Sequence, residues 1–293
     1  MKLHYSHVDV FSAQPYSGNS LPVFMDSRGL SADQMLRITQ ELRHFEAIFL
    51  EPTDDPSAVR ARVFDLFEEL PFAGHPIIGA GAVLHHAASQ AQNATWRFVL
   101  ANRTLTISTE RTAVGYFGLL DQGMPEFLGV VNPAEWVASA FGLGSRDLRS
   151  DLPLEVVSTG LRYLIVPVLP EVLSKARIRE DVGEKLRSVG AQFAVLLDES
   201  VLEVRHWNND GVIEDIATGS AAGTVGAYRL RHGLARGGQT FTLHQGQFTG
   251  RPSTLRVQPE GTPERVHNVK VGGDVALVGH GTLQVRPLVV SLA

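Results

Sequence analysis

The residues of this 293-residue chain that could do chemistry fall into three short clusters. The first is His44-Phe45-Glu46-Ala47-Ile48-Phe49, where one acidic side chain sits among apolar neighbours. A carboxyl group in an apolar pocket keeps its proton to higher pH than one in water, which makes it a usable general base or acid near neutrality. On the polar face of a turn, Glu46 would have no such role. The second cluster is Gly74-His75-Pro76. Free N–H groups at a helix start can hold an anion, and an imidazole beside them can donate a proton. A structural histidine at a helix cap fits the same spacing. The third is Asp215 with Thr218-Gly219-Ser220, a second helix start with small polar residues. Asp215 can serve there as an acid–base group, orient a substrate, or belong to a plain capping loop.

Other chemistries lack their residues. With no Cys, the chain has no thiol nucleophile, Cys-ligated zinc, iron–sulfur cluster or disulfide scaffold. Its four Lys residues, Lys2, Lys175, Lys185 and Lys270, lie outside the three clusters, which argues against a pyridoxal phosphate Schiff base. Ser220 lies in Gly219-Ser220-Ala221 and not in a Gly-x-Ser-x-Gly nucleophile elbow. No dinucleotide fingerprint or P-loop is present. The histidines other than His75 show no metal-ligand spacing of high specificity, and the adjacent His85 and His86 cannot share one helix face. Neither cofactor nor metal is expected. Proton transfer by carboxylates and a histidine remains.

The elements that must position these groups are mostly strands. His4–Phe11, Leu21–Met25, Ala47–Leu50 and Arg60–Phe67 have strand composition, with turn residues Pro15, Gly18 and Asn19 between the first two. Ser31 and Gln34 form a capping-box pair ahead of Met35, Leu36, Ile38 and Leu42, which predicts a helix. The apolar run Ile77 to His86 follows Pro76, a residue suited to a first helical turn. Gly79 and Gly81 are tolerable in that helix only if it is buried and other elements approach it closely. A related run, Ala221 to Leu230, follows Thr218-Gly219-Ser220; Thr218 or Ser220 is expected to cap it and Gly233 to stop it. Shorter helical stretches are expected near residues 132–141 and 172–189. Strand-like runs fill the remainder, among them Gln239–Leu243, Val269–Val271 and Val275–Gly279.

The recurrence of an acidic residue, a Gly-containing loop and a small-residue helix suggests a degenerate duplication. The expected fold is α+β, with two similar lobes, each a curved sheet or barrel around a central helix. The N-terminal lobe is expected over 1–116, completed by 283–293, and the C-terminal lobe over 117–282. A net charge of -5 gives no electrostatic reason to bind nucleic acid. No stretch approaches the roughly 20 apolar residues of a membrane span, and the first ten residues lack a signal-peptide core, so a cytoplasmic protein is expected.

Taken in order, these clusters resemble the PhzF family of phenazine-biosynthesis-like isomerases. The resemblance includes Asp9-Val10-Phe11, Tyr16 to Phe24, Glu41 to Glu46, Glu69 to Pro76, Ser158-Thr159-Gly160-Leu161, and Glu214-Asp215-Ile216-Ala217-Thr218-Gly219-Ser220-Ala221-Ala222-Gly223. It continues through Gln245-Gly246, Gly250-Arg251-Pro252-Ser253 and Val271-Gly272-Gly273. It implies the diaminopimelate-epimerase-like fold and a homodimer. It assigns the proton-shuttling role to Glu46, with His75 and Asp215 as further catalytic residues. Gly74, Gly219, Ser220 and Asn19 would bind substrate. Epimerases of that fold use a Cys pair, which this chain lacks, while the PhzF branch uses a Glu.

Three segments depart from the family pattern. Ile216 stands where Pro is usual, Leu66-Phe67 replaces Thr-Pro, and Phe248-Thr249-Gly250 replaces a Met-Gly pair. The expected activity is a cofactor-independent proton shift between carbons of a small carboxylate, similar to that of trans-2,3-dihydro-3-hydroxyanthranilate isomerase. Two alternatives are a small-anion binding protein of the same fold and a Cys-independent racemase or epimerase.

Overall fold

The computed structural model describes residues 2–88, 90–132 and 135–285. The chain divides into two compact units, Met1–Leu120 with Asp274–Ala293, and Asp121–Gly273. The fold is α+β, and strands far outnumber helices among the described residues.

In the first unit the order is β1 (Lys2–Val10), β2 (Asn19–Phe24), α1 (Ala32–Leu42), β3 (Glu46–Pro52), β4 (Ala58–Asp65) and β5 (Glu69–Leu70). α2 (Gly74–Ala88), β6 (Asn93–Val99), β7 (Thr104–Arg111) and β8 (Tyr116–Gly123) follow. Strands neighbour one another in the order β1-β2-β3-β4-β6-β7-β8, with β5 beside β4. Helix α2 packs against β1, β2, β3, β6 and β7, and every residue from Gly74 to His85 is buried. Close approach explains the glycines. A Cβ on Gly79 would lie 2.5 Å from Leu21 and 2.9 Å from Val10, and one on Gly81 would lie 3.1 Å from Ile107. Helix α1 caps as its sequence predicts: Gln34 N–H donates to the Ser31 hydroxyl at 3.2 Å, and Ser31 N–H donates to the Gln34 side-chain oxygen at 3.0 Å. Arg43 ends it in the left-handed region, φ 57°. Leu3, Phe24, Phe49, Phe64 and Met35 form an apolar cluster of this unit, and Leu36, Ile38 and Leu42 pack against it.

The second unit contains β9 (Glu126–Val130), α3 (Glu135–Ala140), β10 (Glu155–Ser158), β11 (Arg162–Val168) and α4 (Gly183–Ser188). Then come β12 (Phe193–Asp198), β13 (Glu203–His206), α5 (Gly219–Arg231), β14 (Phe241–Gln245), β15 (Ser253–Thr262) and β16 (Arg265–Gln284), which passes into the first unit after Gly273. The strand order is β16-β15-β14-β13-β12-β11-β10-β9. Helix α5 packs against β10, β11 and β15 and is buried from Gly219 to Leu230. A Cβ on Gly226 would lie 2.5 Å from Val257.

Several expectations need correction. Val269–Val271 and Val275–Gly279 are one strand, because the chain runs through Gly272-Gly273 without turning. The part of β16 from Arg265 to Gly272 pairs with β15, and the part from Val275 to Gln284 pairs with β1. Strand β4 stops at Asp65 and not at Phe67, because the Asp65 carboxylate accepts the N–H groups of Phe67 and Glu68, both at 2.7 Å, and closes a turn. Neither Thr218 nor Ser220 caps α5 with its side chain. Thr218 occupies the cap position, but its hydroxyl goes elsewhere, as does that of Ser220. Gly233, with φ 72°, does follow the last turn.

Candidate active site

In the first unit three elements bring together Asn19, Glu46 and His75. Arg43 turns the chain out of α1, and three residues later Glu46 opens β3, opposite Asp65 of β4. His75 is the second residue of α2, and Asn19 the first of β2. All three are buried, Glu46 at 7% exposure and His75 at 3%. The His75 Nδ1 lies 3.2 Å from a Glu46 carboxylate oxygen. The Asn19 amide nitrogen lies 3.4 Å from the same ring nitrogen. A carboxylate and an imidazole this close, shielded from water, can hold one proton between them. The Asn19 amide can donate to His75 Nδ1 only while that nitrogen carries no proton, so Asn19 and the shared proton compete for it. Gly74 supplies the first residue of α2, where backbone N–H groups lack helical partners.

In the second unit the three expected residues Asp215, Gly219 and Ser220 sit in a dense polar network. The Thr218 hydroxyl donates to the Asp215 carboxylate at 2.5 Å. Gln245 ties the segment from β14: its amide nitrogen donates to the Asp215 carbonyl at 2.9 Å and to the Thr218 hydroxyl at 3.0 Å. Its oxygen accepts the Thr218 N–H at 2.9 Å. Ser220 shares a hydrogen bond with the Tyr163 hydroxyl at 2.9 Å. Gln122 donates to the Gly219 carbonyl at 2.9 Å and accepts from the Thr159 hydroxyl at 2.8 Å. The residues of this network are buried, so each bond forms where water cannot substitute for it.

Gln122, Tyr163 and Gln245 were not singled out from the sequence as site residues. Gln245 and Thr159 lie in segments that carry the family resemblance, which was the available signal. Gln122 and Tyr163 carry none, since their partners lie 97 and 57 residues away.

The glycine at position 223 is required by this network. A Cβ there would fall 1.9 Å from the Gln122 side-chain oxygen. Gly223→Ala is therefore expected to displace Gln122 from both its partners and to lower the unfolding free energy by about 1–3 kcal/mol, the usual cost of overpacking. Urea unfolding checks this, and an unchanged midpoint would contradict it.

The departures from the family pattern have structural places. Leu66 accepts a hydrogen bond from Gln40 through its carbonyl at 3.0 Å, and Phe67 is exposed. The Ile216 carbonyl lies against Gly246, where a Cβ would meet it at 2.6 Å. The Phe248 ring lies 4.3 Å from the Arg205 guanidinium carbon. His85, by contrast, is structural: its two ring nitrogens meet the Thr109 hydroxyl and the Ala91 carbonyl, each at 2.9 Å. No helix among the described residues is long and apolar enough to cross a membrane.

Known proteins resemble the chain along nearly its whole length. The family model for phenazine biosynthesis-like proteins, PhzC-PhzF, matches residues 8–281. The trans-2,3-dihydro-3-hydroxyanthranilate isomerase of Pseudomonas chlororaphis is 30% identical, over 96% of this chain and 99% of its own. Its counterpart in Pseudomonas aeruginosa is 33% identical, over 94% and 98%. Among solved structures, a predicted epimerase from Pseudomonas aeruginosa superposes with a TM-score of 0.92 at 45% identity, covering 97% of this chain and all of that one. A hydroxyproline epimerase from Agrobacterium vitis, with a TM-score of 0.66 at 14% identity, shares the fold. The chain belongs to the PhzC-PhzF family of phenazine biosynthesis-like proteins.

Proposed function

We propose that the protein is a cofactor-independent isomerase that moves a proton between carbons of a small carboxylate substrate, with Glu46 as the base. The observation that carries this reading is the buried Glu46 carboxylate with a His75 ring nitrogen 3.2 Å away. A buried carboxylate can take a proton from carbon, and the imidazole can relay or hold it. Asn19 and Gly74 are the substrate-binding groups beside that pair. In the second unit Asp215, Gly219 and Ser220 are assigned to the substrate, with the N–H groups at the start of α5 suited to a carboxylate. The curated relatives support the reaction class, since those with an assigned substrate and those without one are both named isomerases. The protein is proposed to work as a cytoplasmic homodimer.

A thermal-shift screen of small carboxylates, headed by trans-2,3-dihydro-3-hydroxyanthranilate, is expected to find compounds that raise the melting temperature by mass action. Incubated with such a compound in deuterated water, the protein should deliver a product isomer carrying solvent deuterium on carbon. Binding with no exchange and no isomer would make the protein a small-anion binder instead.

A further inference from the structure

Ser220 is assigned to the substrate, and its hydroxyl already has a partner inside the second unit. That partner is the Tyr163 phenol, 2.9 Å away. Both residues are buried, Ser220 at 4% exposure and Tyr163 at 2%. Tyr163 is the second residue of β11, and its ring is clamped by two others. The Phe193 ring of β12 lies 5.5 Å from it and the His206 ring of β13 lies 5.4 Å from it, centroid to centroid. His206 is itself held, with its Nδ1 2.9 Å from the Ala194 carbonyl. Just beyond His206 the chain turns back, so that Glu214 bridges Trp207 in antiparallel register and leads through Asp215 to the start of α5. The phenol is a fixed point against which the Ser220 hydroxyl is set.

Each of the two hydroxyls has one proton to give and lone pairs to accept with. Whichever gives its proton to the shared bond leaves the other's proton for use elsewhere. A phenol, with a pKa of about 10, is the more acidic O–H and the stronger donor of the two. Tyr163 therefore donates and Ser220 accepts. Among the described residues the Ser220 hydroxyl has no second partner, so its own proton is left over. A buried donor without an acceptor is costly, and an acceptor oxygen of a ligand would relieve that cost. A carboxylate offers two such oxygens, and an ammonium group offers none.

We propose that Tyr163 is a positioning residue of the isomerase site: its phenol donates to Ser220 and so aims the Ser220 O–H at an acceptor oxygen of the substrate carboxylate. The role in turnover rests on the isomerase reading. The direction of the hydrogen bond is a property of the protein without ligand.

Two readouts test it. In ligand-free protein, Raman spectra report the direction of the bond, because the tyrosine Fermi doublet differs between a phenol that donates and one that accepts. The difference between wild type and Tyr163→Phe isolates Tyr163, and the donor form is expected. The acceptor form would overturn the proposal. Ser220→Ala should move the same doublet, and it identifies the Tyr163 signal even if Tyr163→Phe fails to fold. A doublet unchanged by Ser220→Ala would overturn the pairing. In turnover, Tyr163→Phe keeps the ring between Phe193 and His206 and removes only the hydroxyl. With trans-2,3-dihydro-3-hydroxyanthranilate it is expected to raise KM about three- to tenfold, the worth of a hydrogen bond, with kcat within about twofold. In the Ser220→Ala background the same change should leave KM where it is, because the hydroxyl it acts through is gone. An unchanged KM in the single variant, or an equal rise in both backgrounds, would overturn the positioning role. Failure of the isomerase reading looks different: the wild type would neither bind nor convert the compound, while the doublet still responded to Ser220→Ala.

Discussion

Glu46→Gln is expected to slow turnover by ~10²–10⁴-fold, the range of general acid–base catalysis, with the fold intact. Glutamine matches glutamate in shape, so the turn from Arg43 into β3 and the pairing of Glu46 with Asp65 are kept. What is lost is the ability to accept a proton. His75 and Asn19 stay in place, so ground-state binding should change little and the loss should fall on kcat and not on KM. The rate of deuterium entry from solvent measures this directly, and thermal melting checks the fold. A variant that isomerises at the wild-type rate would remove Glu46 as the base and leave His75 as the candidate.

The second large effect concerns stability. Arg205 is buried and grips Glu214 through two hydrogen bonds, at 2.7 and 2.6 Å. It also donates to the Leu173 and Ala176 carbonyls, and its guanidinium carbon lies 4.4 Å from the Trp207 ring and 4.3 Å from that of Phe248. Arg205→Ala removes one partner of a buried ion pair and leaves the Glu214 carboxylate uncompensated, a loss of about 3–5 kcal/mol. Globular proteins are stable by about 5–15 kcal/mol, so this is a large fraction of the total. Urea unfolding should show it as a lower midpoint. Adding Glu214→Gln to the variant should recover part of the loss, since the unpaired charge goes with it. If the single and double variants melt alike, the stranded charge is not the cause. Glu214 directly precedes Asp215, and Trp207 directly follows His206, so the same pair also braces the site hairpin.

What could be read from the sequence was local. Ser31 and Gln34 specify their helix start through neighbours three residues apart. Gly79 and Gly81 make sense only in a helix that other elements approach closely, and α2 is such a helix. The types and order of Glu46, His75 and Asp215 carried the chemistry. Less legible was whatever depends on distant partners. A capping hydroxyl at Thr218 was the local expectation, but Asp215 and Gln245 compete for that group and win it. Gln122 and Tyr163 are ordinary strand residues until the fold brings Gly219 and Ser220 to them. The division at Leu120 and Gly273 falls inside β8 and inside β16, where Gly272-Gly273, a turn signal when read locally, sits within a continuous strand.

Strand β16 has a consequence for the order in which the chain matures. Lys2 is paired with Gln284, and Val10 with Val275, so β1 waits for a stretch of strand that follows the whole second unit. Residues 121–273, a contiguous stretch, can pair among themselves as soon as they have emerged from the ribosome. The first unit cannot satisfy that flank of β1 until Val275–Gln284 has followed it. The unit that holds Glu46 and His75 begins before the second unit and is completed after it. Until then its exposed strand edge is the part of the nascent chain most open to wrong partners.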